Sequence, residues 1–131
     1  DLDLCPVFLQ EYIEKKYELR ITSVGKKHFC CLIDSQKLCE GEGKEDWREG
    51  YDHGLEKMQK KIKTPKEIER FCNSYLDTLG INFGCFDFIK DVNNNFYFLE
   101  CNPNGQWLWL EMEIGLKISK AIANFLMGHD D

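Results

Sequence analysis

Three oxygen-bearing side chains in the stretch FDFIKDVNNNFYFLECN have the types and spacing to act together: Asp87, Glu100 and Asn102. The apolar runs on either side of DVNNN read as a hairpin, because Asn tolerates the positive φ that tight hairpin turns require. With Asn93 and Asn94 as the two turn residues, Asp87 falls directly across from Glu100. Side chains alternate along a strand, so Asp87, Glu100 and Asn102 would share one face while Phe86, Phe88, Leu99 and Cys101 point to the other. Two carboxylates about 5 Å apart repel by roughly 3 kcal/mol at an effective dielectric near 20, so something must compensate. A divalent cation would do so, since oxygen ligands from Asp, Glu and an Asn amide suit Mg²⁺ or Mn²⁺, which keep waters and share a substrate's phosphate oxygens. A solvated sheet face, or pairing with Arg and Lys, would do so too, and these residues alone leave both open.

The elements that must position this pair are partly legible. PVFLQEYI (6–13) reads as an apolar strand, and ELRITSVGKKHFCCLIDSQ (18–36) as two strands joined by a turn at Gly25-Lys26-Lys27, together an antiparallel meander. From Glu40 to Lys63 the composition shifts to Gly, Lys, Glu and Asp, with Trp47, Tyr51 and Leu55 as isolated large residues; this predicts a mobile surface loop. TPKEIERFCNSYLDTLG is the clearest helix. Thr64 is placed to cap it, Pro65 suits its first position, Glu67 completes a capping box and Gly80 ends it in a left-handed turn. Ile68, Phe71, Cys72, Tyr75, Leu76 and Leu79 form its inward face. A short helix is expected after Gly105, and ISKAIANFLMG closes the chain with Ile118, Ile122, Phe125 and Leu126 inward. The stripe Trp107, Trp109, Leu110 and Met112 reads as packing.

Bulk properties narrow the function classes. With 131 residues, 31% charged and 43% hydrophobic, the chain is one globular domain or part of one. A net charge of −6 argues against a general nucleic-acid or membrane-surface binder. No apolar run approaches the roughly 20 residues that span a bilayer, and DLDLCPVFLQEYI has neither the basic start nor the cleavage site of a secretory signal, which points to the cytoplasm. The seven cysteines are an odd number without C-x-x-C spacing and fall mostly in apolar runs. They read as reduced core residues rather than a zinc or redox site, and the scattered His28, His53 and His129 do not alter that.

An Asp on one strand, then Glu-x-Asn at the end of the next followed by a Gly-containing loop, resembles the metal-binding signature of the ATP-grasp superfamily. LQEYI, KKYELRITSVG, IDSQ, DWR, LGINFGCFDFI and FLECNPNGQWLWLE together resemble its peptide-modifying branch, which makes graspetides such as microviridins and is similar to the ligases that add glutamate tails to ribosomal proteins. The fold this implies is α+β, the C-terminal subdomain of an ATP-grasp enzyme, mainly antiparallel sheet with helices packed on one face. The activity implied is a carboxylate–amine or carboxylate–hydroxyl ligase that uses ATP to make an acyl phosphate, acting on a ribosomally made peptide.

Carried over by position, the resemblance makes Gln10, Glu11, Tyr12 and Ile13 the adenine hinge and sets Glu18 at an acidic position that accepts from ribose hydroxyls, where the family more often has Asp. Arg20 and Arg48 match basic positions that meet phosphate oxygens, and Asp87, Glu100 and Asn102 would hold one or two Mg²⁺ (or Mn²⁺) ions. Gln106, after Gly105 at a helix start, is a candidate to orient phosphate or acceptor groups. ATP and a peptide are the implied partners, and homo-oligomerisation stays open. The chain starts at Asp1, just before the hinge, so residues 1–131 are expected to form only the C-terminal half of such an enzyme, excised or encoded separately, with the N-terminal subdomain as its missing partner and little activity alone. The rival reading is a non-catalytic module, derived from such a half, that binds a peptide or partner.

Overall fold

A computed structural model of the chain describes residues 6–37, 44–48 and 58–129. Five strands, β1 (Lys15–Val24), β2 (Lys27–Ile33), β3 (Gln59–Ile62), β4 (Phe83–Asp91) and β5 (Phe96–Asn102), form one sheet in the order β3-β2-β1-β4-β5. Every neighbouring pair is antiparallel. Helix α1 (Lys66–Leu79) links β3 to β4, and α2 (Leu108–Ile114) and α3 (Ile118–Leu126) follow β5. The α+β class is as expected, but the helices divide between both faces of the sheet. Alternation along the strands sends Leu19, Ile21, Cys30, Phe86 and Phe88 to one side, where they pack on Ile68, Cys72 and Leu76 of α1. Val24, Cys31 and Ile33 go to the other, against Leu110, Leu116, Ile118 and Ala121.

The β4–β5 hairpin carries an instructive difference. Its loop is Val92-Asn93-Asn94, one residue longer than expected: the Asp91 amide donates to the Asn95 carbonyl at 3.0 Å, and Asn94 takes φ 70°. Phe88 therefore faces Phe98, one step off the expected register. A bulge between that pair and the next then restores the offset, and Asp87 does face Glu100. The bulge also reverses two side chains. Phe98, which simple alternation would set beside Glu100, packs on the α1 side, with ring centroids 4.9 Å from Phe71 and 5.6 Å from Phe88. Leu99, expected on that side, is instead partly exposed and lines the trough that holds Asp87 and Glu100.

Other expectations change for physical reasons. Residues 6–14 form no strand. β1 is already flanked by β2 and β4, so this segment has no sheet edge to join there, and Phe8 is 87% exposed. Within the expected 40–63 loop, Gln59–Ile62 pairs with β2 as an edge strand. Its lysines keep it too polar to read as a strand, and such charge is a common way to blunt an edge. Trp47 is buried in the α2/α3 core rather than isolated. Tyr51, Leu55, His53, Cys5 and Cys39 lie outside the described residues. Thr64 does not cap α1: its hydroxyl donates to the His28 carbonyl at 3.3 Å, no side chain caps the helix, and Pro65 is the capping residue itself. Gly80 ends α1 at φ 65° as expected, with the Ile81 amide donating to Leu76 O at 3.1 Å. Leu79 and Leu126 turn outward. Cys30, Cys31, Cys72, Cys85 and Cys101 are free thiols, and burial pushes Cys31 and Cys72 up to about 12 and Cys101 up to about 11.

His28 ties β1, β2 and α1 together. Its Nε2 lies 3.1 Å from Asn73 Oδ1, an oxygen that only accepts, so Nε2 carries the proton and Nδ1 accepts from the Ser23 hydroxyl at 2.7 Å. Burial lowers the His28 pKa below its ordinary value. The unfolded chain therefore takes up a proton that the folded chain declines, and stability is lost as pH falls through the imidazole range. His28→Gln should flatten that decline, read from denaturant midpoints at about pH 7.5 and pH 5.5, and identical slopes in the two proteins would refute the role.

Candidate functional site

Strand register brings the site together. Arg20 on β1 faces Asp87 on β4, which faces Glu100 on β5, so the three lie in one row across the same face of the sheet. Asn102 lies in the next row, opposite Cys85. What sits against the carboxylate pair is guanidinium. Asp87 Oδ2 accepts from Arg20 Nη1 at 2.8 Å and from Arg48 Nη2 at 2.9 Å, and Arg48 Nη2 also donates to Glu100 Oε1 at 2.7 Å. Burial pushes the Asp87 carboxyl above its usual range while Arg20 and Arg48 pull it back.

The two arginines are not equivalent. Arg20 and Asp87 have side chains only 7% and 8% exposed, a buried pair whose disruption costs about 3–5 kcal/mol. Arg48 and Glu100 are about half exposed, the regime in which an ion pair contributes about 0–1 kcal/mol. Arg20 thus fixes Asp87 in place, whereas Arg48 is held weakly enough to exchange its carboxylates for another anion.

A trough of about 650 Å³ runs from Gln10, Glu11, Tyr12 and Ile13 past Glu18 to Arg48, Asp87 and Glu100. A second cavity of about 500 Å³ adjoins it, lined by Arg20, Asn102, Gln106, Trp47 and Trp109, with Arg48 and Glu100 lining both. All eleven candidate residues therefore border one continuous region. Glu18 is the one whose surroundings differ from expectation. It is buried, its Oε1 accepts from Lys15 Nζ and from Ser35 Oγ, and burial, partly offset by Lys15, pushes its pKa up to about 7.

Lys15, Ser35 and Gln36 had no assigned role, Trp47 was read as isolated and Trp109 as packing. Trp47 and Trp109 lie 5.3 Å apart between centroids, and the Arg48 guanidinium sits 5.3 Å from the centre of the Trp47 ring. The only sequence signals were positional: Trp47 beside Arg48 in DWR, Lys15 at the start of KKYELRITSVG, and Ser35 and Gln36 at the end of IDSQ.

Among the described residues no three His, Cys, Asp or Glu side chains cluster as a metal site. The third oxygen donor is the Asn102 amide, whose Oδ1 accepts from the Asn104 amide at 2.9 Å and so shapes the turn after β5. Both arginines address Asp87 through Oδ2 alone. Two carboxylates and an amide oxygen on one face, beside a cavity, are a donor set that fits Mg²⁺.

No protein-family model matches the chain, and no curated protein does either. Solved structures do. The RiPP-associated ATP-grasp ligase of Chryseobacterium gregarium, in complex with ADP and a leader and core peptide, is 34% identical over 93% of this chain, with a TM-score of 0.83. The macrocyclases MdnC, bound with its precursor peptide MdnA, and MdnB, both from Microcystis aeruginosa MRC, are 32% and 30% identical over 92% and 90% of the chain, with TM-scores of 0.71 and 0.69. The ligase PsnB, at 13% identity and a TM-score of 0.65, shares the fold. The sheet and its three helices thus match a C-terminal subdomain of the ATP-grasp fold. Within that class the chain resembles the RiPP-associated, peptide-modifying ligases, and it spans 36%, 33% and 40% of the three solved chains it is most usefully compared with. No helix among the described residues is long and apolar enough to cross a membrane.

Gly105 locks the turn after β5 onto this site. A Cβ there would lie 2.5 Å from Cys85 Cβ and 3.0 Å from Arg20 Nη2, and the neighbouring Gln106 carbonyl accepts from Arg20 Nη2 at 3.3 Å. Gly105→Ala should cost about 1–3 kcal/mol by overpacking, read from denaturant midpoints; a neutral substitution would show that the turn yields freely.

Proposed function

We propose that this chain is the ATP- and Mg²⁺-binding C-terminal part of an ATP-dependent ligase that joins a carboxylate to an amine or hydroxyl on a ribosomally made peptide. The observation that carries the reading is the row Arg20–Asp87–Glu100, crossed by Arg48 and opening into a trough that leads to Gln10–Ile13. Support comes also from the solved relatives, of which the Chryseobacterium ligase holds ADP and peptide and MdnC its precursor.

In this reading the adenine lies along Gln10–Ile13, largely on backbone groups, and the phosphates extend toward Arg48. Both partners of Glu18 fall on Oε1, which leaves Oε2 for a ribose hydroxyl. Asp87, Glu100 and Asn102 would hold Mg²⁺, which offsets charge on the β- and γ-phosphates when bound. Arg48, already balanced between charges, moves onto phosphoryl oxygens, while Arg20 keeps Asp87 aligned and adds positive potential. A substrate carboxylate oxygen attacks the γ-phosphorus and ADP leaves. An amine or hydroxyl then attacks the acyl carbon, loses its proton and expels phosphate, giving an amide or ester. Gln106, beside Asn102 in the second cavity, is placed to orient the acceptor. The activity belongs to the ligase that carries this chain, and the 131 residues alone would turn over little or no substrate.

Asp87→Asn and Glu100→Gln in that ligase should each lower peptide-dependent ADP release by about a hundredfold or more, with unchanged circular dichroism. Full turnover in both variants would overturn the metal role and favour a module that binds peptide without catalysis.

A further inference from the structure

The trough's hinge end contains a buried polar network of which the proposed function uses only Glu18. Lys15, at the start of β1, has a side chain only 4% exposed. Its ammonium donates to Glu18 Oε1 and to the backbone carbonyl of Glu45 at 2.6 Å. Just beyond β2, Ser35 is fully buried and donates to the same Glu18 oxygen at 3.4 Å. Gln36 Nε2 lies 3.3 Å from Ser35 Oγ and donates to the Lys44 carbonyl at 2.9 Å. Four side chains, two from β1 and two from the short turn after β2, thus converge on two consecutive carbonyls of the segment 44–48.

That segment carries Arg48. Past the two held carbonyls, Asp46 Oδ1 accepts from the Arg48 amide at 3.0 Å and from Arg48 Nη1 at 3.2 Å, and Trp47 is sunk into the α2/α3 core. The backbone is therefore gripped on one side of Arg48 by the network and beneath it by Trp47, and from there the guanidinium reaches Asp87 and Glu100. A buried Lys–Glu pair is weak evidence for stability, since apolar replacement of both partners is often neutral. Its position on the carbonyls of a loop that carries a site arginine gives it another purpose.

We infer that Lys15 and Gln36, joined through Glu18 and Ser35, are positioning residues: they fix the 44–48 backbone so that Arg48 is delivered to the carboxylate pair and, on the reading above, to the phosphates. Glu18 is then chiefly the acceptor that orients Lys15.

The test uses three variants: Lys15→Met/Glu18→Leu, which removes the buried pair without stranding a charge, the milder Gln36→Leu, and Lys15→Arg, which keeps a donor. In each, amide exchange across 44–48 and binding of MgADP are measured, in wild-type and Arg48→Met backgrounds. The first two variants should speed exchange of the Arg48 amide by about tenfold or more while β1 and β4 stay protected, with Lys15→Arg close to wild type. In Gln36→Leu, which leaves Glu18 in place, MgADP affinity should fall in the wild-type background and no further where Arg48 is already gone. Unchanged exchange at 44–48 overturns the inference, as does an equal loss of affinity with and without Arg48 in Gln36→Leu, which would put the network on the nucleotide itself. If Arg48→Met alone binds MgADP as tightly as wild type, the phosphate role of Arg48 fails, and loop exchange by itself decides the tether.

Discussion

Two negative side chains face each other across adjacent strands, and the rest of the site is arranged around that repulsion. Asp87 and Glu100 would weaken the β4–β5 pairing if left alone, since like charges directly opposed destabilise a sheet. Arg20 supplies the permanent correction from the buried side, on the strand next to β4, and Arg48 a loosely held one from above. On the proposed reading, one cation that stays and one that can leave suit a site that handles phosphate. On that reading the pair must stay aligned, yet keep charge capacity for a ligand. The sheet order makes this feasible, because β4 is flanked on both sides while β5 lies at the margin, so Asp87 is shielded and Glu100 open.

The opposition of Asp87 and Glu100 was legible from residue types alone, but the route to it was not. A two-residue turn and an unbroken ladder lead to the same pairing as a three-residue turn and a bulge, because the two irregularities cancel between Asn94 and Leu99. Local alternation cannot reveal a bulge, since the aromatic run Phe96, Tyr97, Phe98 is compatible with either phase. The price of that ambiguity was Phe98, whose place in the cluster with Phe71 and Phe88 only tertiary packing decides.

Elsewhere legibility tracked how local the determining interaction is. Helix α1 and its Gly80 stop follow from periodicity and one backbone conformation, both readable over a few residues. Thr64 looked like a cap because the sequence does not show that the His28 carbonyl, on another strand, would claim its hydroxyl. The same holds for Trp47, whose burial needs α2 and α3, and for β3, whose lysines mask a pairing set by β2. The tether through Lys15 and Gln36 ends on main-chain carbonyls, which carry no signature of residue type at all.

The cancelling pair of irregularities in the β4–β5 hairpin ties two distant positions into a single heritable unit. Chains that shorten the Val92–Asn94 loop by one residue while keeping the acidic row must also straighten the strand near Leu99, and the reverse change carries the opposite obligation. Loop length and strand regularity should accordingly vary together among natural versions of this hairpin, with intermediate forms purged because they would rotate Glu100 to the wrong side.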